Sequence, residues 1–204
     1  MKLLISNRNL SFLFLTTAFV GISFGGLIMR NINYADVWQI SFFRALGFVF
    51  SITILLSFKY KSKIVVNIKK IGLPGIFGGV IHSIANLLFI FAFTKTTIAN
   101  TLFTLSSIPF ITAILALIIL KEKISLRTIL AMLFATIGIF IMIKDGLETS
   151  GDYNGNLMAL GTAICYSCFF IIIRKYNNVD MLPTSLISGI IIIIVSFVVT
   201  QGNI

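Results

Sequence analysis

Acidic side chains are scarce in this sequence, and where they fall narrows its chemistry. Six Asp and Glu occur among 204 residues, against 16 Lys and Arg, at positions 36, 122, 145, 148, 152 and 180. Each lies in a connection between apolar runs, which argues against a relay of membrane-embedded carboxylates and makes a membrane enzyme a poor reading. One histidine and two cysteines supply neither a metal cluster nor a disulfide framework. No glycine loop precedes a Lys-Ser or Lys-Thr pair, which removes phosphate-cradling nucleotide chemistry. Neither an enzyme nor a cofactor site is expected. Charge as a whole is also low, at 11% of residues against 58% hydrophobic, a balance no soluble domain could carry on its surface.

What remains is a series of long apolar runs. Seven can be marked, at 11–29, 37–58, 72–93, 98–120, 127–143, 155–173 and 183–200. Each is close to the ~20 residues needed to cross ~30 Å of hydrocarbon as a helix. The sequence therefore predicts an all-α, polytopic bundle of about seven membrane-spanning helices, with the lipid bilayer as its first partner. The run at 11–29 follows Lys2 and Arg8 as a signal peptide would, but it is long and lacks a small-x-small cleavage site, so it reads as a retained span. The net charge of +10 would suggest nucleic acid in a soluble protein. Here the basic residues crowd short loops, and no nucleic-acid partner is expected. Twelve Lys and Arg fall in the connections on the side of the N-terminus, against Arg30, Lys95 and Lys144 on the other. That asymmetry predicts a cytoplasmic N-terminus in a cell (inner) membrane.

The stretch from Ile98 to Leu120 has 23 residues without a charge and carries Pro109 at its middle. A proline there removes one backbone donor and frees a carbonyl, with Ser106, Ser107 and Thr112 near enough to satisfy the break. Pro74 falls in the first turn of the third run, Ser125 is placed to cap the fifth, and Trp38, Tyr34 and Tyr153 lie at membrane edges. Gly21-x-x-x-Gly25 and Gly75-x-x-x-Gly79 offer small faces for helix packing. Cys165 and Cys168, three apart inside one run, read as small packing residues. A weak internal repeat is also present: Thr17-Ala18 with Phe24 recurs as Thr162-Ala163 with Phe169, at an offset of 145. Five spans separate the copies, so the second copy would be inverted, as in many secondary transporters.

Ala92-Phe93-Thr94, Ala99, Pro109-Phe110, the turn Lys121-Glu122-Lys123-Ile124-Ser125 and Gly138 form a series that resembles the EamA family of the drug/metabolite transporter superfamily. Gly155-Asn156-Leu157, Ala163 and Cys165-Tyr166 look like the opening of that family's second repeat. The resemblance implies a first five-helix repeat over 1–145 and the first two helices of an inverted second repeat over 155–204. It implies a permease that moves a small organic solute by alternating access. Two departures stand out: Val20 precedes Gly21 where family members commonly have tryptophan, and the family architecture has ten helices. The alternative is therefore a transport-inactive fragment or assembly partner that needs a homodimer or a separately encoded C-terminal half.

The residues themselves nominate a site. Arg44 lies eight residues in from Asp36, about 12 Å along a helix, where a charge is costly unless it faces the bundle interior or snorkels. It could attract an anionic or amino-acid-like solute, or tie down helix-end carbonyls. His82, with Asn86 one turn on, is the one side chain whose ordinary pKa lies near neutrality, which makes it the candidate for proton coupling, against a neutral histidine bonded to a neighbouring helix. Ser106, Ser107 and Tyr166 fall at similar depth, close to the midplane where secondary transporters bind. Glu122, between two lysines, is expected to accept from amides at the start of the fifth helix.

Overall fold

A computed structural model describes residues 35–144 and 152–203, together with positions 16, 17, 20 and 32. The expected first span at 11–29, with Gly21, Gly25 and Phe24, lies outside the described residues, as do Arg30 and Tyr34. The chain divides into two compact units, Met1–Ala35 and Asp36–Ile204. In the first, Thr16, Thr17 and Val20 are helical.

The second unit is all helical among the described residues. Its order is α1 (Val37–Tyr60), a 3-10 turn (Lys61–Lys63), α2 (Ile64–Lys70), α3 (Gly72–Lys95), α4 (Ile98–Leu105), α5 (Ile108–Leu115), a π-turn (Ala116–Leu120), α6 (Leu126–Lys144), α7 (Tyr153–Lys175) and α8 (Leu182–Val199). Taking Ile98–Leu120 as one broken element, five of these helices are long and apolar enough to cross a membrane; the others are α1, α3, α7 and α8. The run expected at 127–143 is the 19-residue α6. This is a bundle of membrane-spanning helices, and the chain is a multi-pass membrane protein.

Local chemistry sets the helix ends. The Gln39 side chain accepts from the Asp36 amide at 3.0 Å at the start of α1. Thr97 accepts from the Asn100 amide to begin α4, Ser125 from Thr128 to begin α6, and Asp152 from Asn154 to begin α7. Pro74 and Pro183 fall in first turns, where a missing donor costs little. The break expected at Pro109 is present: α4 stops at Leu105, and the hydroxyls of Ser106 and Ser107 donate back to the carbonyls of Phe103 and Thr104. Below α5 the chain loosens into the π-turn, then reverses at Lys121, whose φ of 55° is left-handed.

The core is the face of α3 against α7, flanked by α8, which packs on both α1 and α3, and by α4 and α5, which pack on α7. Small residues dominate these contacts, with Ala85, Ala92, Ala159 and Ala163 fully buried. Lipid offers no hydrophobic drive between helices, so close van der Waals approach has to hold them together. At Gly79 a Cβ would stand 2.9 Å from Ile187 Cγ2, and at Gly155 a Cβ would stand 2.7 Å from the Thr96 backbone nitrogen. Buried hydroxyls are satisfied mostly within their own helix, as Thr162 is by the Met158 carbonyl at 2.8 Å. Ser167 reaches across as well, donating to the Ile108 carbonyl beside the proline at 3.2 Å.

Helix directions follow from the tethers at the two ends. α1 and α8 are antiparallel: Gln39 near the start of α1 donates to the Asn203 carbonyl beyond α8, and Lys59 at the far end of α1 pairs with Asp180 just before α8. The lysine-rich connections thus gather at one end of the bundle, here called the basic end. There Glu122 departs from expectation. It does not cap α6, a role Ser125 fills; its carboxylate receives Arg174 from the end of α7, at 2.6 Å from Nη2 and 3.0 Å from Nε. A charged partner in reach outcompetes exposed amides that water can satisfy equally well.

Candidate functional site

Arg44 is two turns into α1, and its neighbours at helical spacing are Ser41 one turn before and Phe48 one turn after. Its guanidinium stands over the Phe89 ring of α3, 5.1 Å from the centroid. The two ion pairs among the described residues, Lys59–Asp180 and Arg174–Glu122, leave Arg44 without a carboxylate partner. Its side chain is accessible through the cavity it lines.

His82 faces the same space from α3. Its ring stacks flat on Phe169 of α7, with centroids 4.2 Å apart and planes 10° apart, and meets the edges of Tyr166 at 5.7 Å and Phe48 at 6.3 Å. The residue is buried, and Nδ1 has no hydrogen-bond partner. A buried, unmatched ring nitrogen in an aromatic box is costly unless a ligand or water completes it. One turn on, the Asn86 amide donates to the His82 carbonyl at 2.9 Å. That leaves its carbonyl oxygen and second N–H for a guest.

Arg44, His82, Asn86 and Tyr166 line one cavity of about 230 Å³, bounded also by Phe48 and Ile192. Given ~30 Å³ per water in the liquid, that space is equivalent to roughly eight waters, enough for a small organic molecule. The lining combines one cation, amide and phenol groups and several aromatic faces, the mixture of apolar wall and few convergent polar groups that small-molecule sites share.

Ser106 and Ser107 lie elsewhere. They sit at the α4–α5 break, with their hydroxyls committed to carbonyls of the preceding turn, and they are not on the cavity wall. Cys165 and Cys168 are both free thiols. Tyr166 was nominated from the sequence, but Ser41 and the phenylalanines of the site were not, although Ser41 and Phe48 stand at helical spacing from Arg44 and could have been found from it. Phe89 and Phe169 carry no comparable signal, since both lie on other helices within uniformly apolar runs.

Comparison with known proteins bears on what this bundle does. The chain is 32% identical over 111 residues to solute carrier family 35 member G1 of Mus musculus, covering 49% of this chain and 30% of the relative. It is 29% identical over 110 residues to the uncharacterized transporter YyaM of Bacillus subtilis, covering 52% and 34%. Against solute carrier family 35 member G1 of Homo sapiens it is 29% identical over 168 residues, covering 76% and 45%. The chain thus spans between a third and a half of the length of these relatives, or slightly less. No solved structure matches it. A family profile matches residues 9–144, two thirds of the chain, and on that match the chain belongs to the EamA-like transporter family.

Proposed function

We propose that this protein is a permease of the drug/metabolite transporter type that moves a small organic solute across the cell (inner) membrane by alternating access, and that the cavity around Arg44 is its binding site. The observation that carries the reading is the arginine itself, lining a cavity about 12 Å into the bundle with no carboxylate partner among the described residues. Placing such a charge at membrane depth costs ~2.5–3.5 kcal/mol on insertion scales. The contact with Phe89 offsets about 0.5–2 kcal/mol of that. An anionic or amino-acid-like solute supplies the missing counter-charge, with Asn86, Tyr166 and His82 Nδ1 as further polar contacts.

The two-repeat organisation, 1–145 and 155–204, is supported by α1 and α8. These correspond under the 145-residue offset, and they lie antiparallel against each other. The unequal loop charges support a cytoplasmic basic end and N-terminus. A second reading, in which these helices act with further helices on the same or another chain or as a homodimer, is favoured by the greater length of the relatives.

The test is uptake of labelled small carboxylates into vesicles bearing the parent chain, Arg44→Lys or Arg44→Leu. The reading expects Arg44→Leu to lose uptake and Arg44→Lys to keep part of it, since an ammonium retains the charge without the planar fork. Parent-like uptake by Arg44→Leu would reject the site.

A further inference from the structure

The cavity extends from the middle of the bundle toward the end away from the basic end. Ser41, Arg44 and Phe48 are in the first half of α1, and Asn86, Leu87 and Ile90 are in the second half of α3, the halves remote from that end, while His82 and Tyr166 close the cavity floor near the middle of their helices. Toward the basic end the same helices close up. A Cβ on Gly78 would meet Thr184 Cγ2 at 3.3 Å, one on Gly79 would meet Ile187 Cγ2 at 2.9 Å, and Leu56, Ile71, Met181 and Thr184 are buried.

Two ion pairs tie that closed end, and each joins a helix of the 1–145 segment to one of the 155–204 segment. Lys59 closes α1 onto Asp180 before α8, and Glu122 after the π-turn binds Arg174 at the end of α7. Glu122 and Asp180 are the two carboxylates that the sequence has in the basic-end connections, and both are used this way. The opposite end is joined by neutral hydrogen bonds, Thr96 to Asn156 at 2.9 Å and Gln39 to the Asn203 carbonyl at 3.3 Å. All four charged side chains are partly exposed, at 29% and 39% in one pair and 59% and 40% in the other. Exposed pairs bias an equilibrium by no more than about fivefold each, a strength that holds a state without trapping it.

We propose that Lys59–Asp180 and Glu122–Arg174 form the latch that holds the basic end shut while the cavity is accessible elsewhere, and that both must part before a solute in the cavity can leave through that end. This rests on the transporter reading, because a latch has work only in a protein that opens alternately. Rupture would free α1 from the start of α8 and the α5 end from α7. The packed layer at Gly78, Gly79, Thr184 and Ile187 then becomes the surface along which the halves separate.

The experiment measures labelling by a membrane-impermeant maleimide in the full chain carrying Cys165→Ser and Cys168→Ser. One reporter is Thr184→Cys in the closed layer, reached from the basic side; the other is Leu87→Cys on the cavity wall, reached from the other side. In the parent background Thr184→Cys should react slowly and Leu87→Cys quickly. Asp180→Asn or Glu122→Gln should each speed the Thr184→Cys reaction by up to about fivefold and slow the Leu87→Cys reaction, and Lys59→Asp with Asp180→Lys should restore the parent rates. Unchanged rates would overturn the latch. Acceleration at both reporters would also overturn it, since that signals a loosened fold and not a shifted equilibrium. Reciprocal rate changes in a chain that takes up no carboxylate would leave the latch standing and count against the transported solute.

Discussion

Gly189 of α8 is the counterpart of Arg44 under the 145-residue offset, and α1 packs tightly against it. A Cβ built there would stand 2.4 Å from Val49 Cγ2 and 3.3 Å from Phe48 Cδ1. Val49 cannot easily swing aside, because a β-branched side chain in a helix is nearly confined to one χ1 rotamer. Gly189→Ala must therefore push the helices apart, at an overpacking cost of about 1–3 kcal/mol. Alanine's better helix propensity returns about 0.5–1 kcal/mol. Gly47 on α1 is the internal control, since nothing lies within 4 Å of a Cβ built there. Gly47→Ala collects the propensity gain alone, so the two variants should differ by about 1–3 kcal/mol, the cost of overpacking. With about 2–4 °C per kcal/mol for a chain of this size, Gly189→Ala should melt at least about 2 °C below Gly47→Ala in detergent. Val49→Ala should recover most of the loss. Displacing Phe48 also narrows the cavity it lines, so solute affinity should fall in Gly189→Ala and not in Gly47→Ala. Equal melting of the two glycine variants would refute the reasoning.

Three further outcomes are expected. A reporter fused after Lys63 should behave as cytoplasmic and one after Ser150 as external; the reverse in an alkaline-phosphatase and fluorescent-protein pair would invert the assignment of the basic end. Gly155→Ala should be worse than Gly189→Ala, because its Cβ would meet backbone at Lys95 and Thr96, at 2.7–2.8 Å, where no side chain can yield; purification yield and melting together would measure it. Burial works against the Asp180 carboxylate, but hydrogen bonds from Lys59 and the Leu182 amide outweigh it and hold its pKa below the usual value. A depressed carboxylate contributes stability that is present above the unfolded pKa of about 3.9 and lost as pH falls through the folded one. Acid should therefore loosen the basic end more in the parent than in Asp180→Asn, where Glu122 is the one latch carboxylate left to protonate, read as the pH dependence of Thr184→Cys labelling. An identical acid response in both would remove Asp180 as the cause.

Most of the fold was legible because membrane spans write themselves as length and hydropathy. Six of the seven marked runs coincide with described helices to within a few residues, and the break at Pro109 appears where a missing donor required it. Arg44, His82, Asn86 and Tyr166 converge because a polar group in an apolar run has few acceptable places other than a cavity. Rotation about each helix axis was not legible. These helices are apolar nearly all round, so no polar face announces which side turns inward, and Ser106 and Ser107 could not be separated from the others by depth alone. Nor was Glu122–Arg174, a pair 52 residues apart whose meeting depends on the packing of α5 against α7.

The most direct test is solute binding read by thermal stabilisation of the purified chain, with small carboxylates paired with their neutral amides, in the parent and in Arg44→Leu. A ligand at 100 times its dissociation constant adds about 2.7 kcal/mol to the stability of the state that binds it. The account predicts that at least one carboxylate raises the parent's melting temperature, that its amide does not, and that Arg44→Leu loses the response. Equal shifts by acid and amide, or a carboxylate shift that persists in Arg44→Leu, would contradict it.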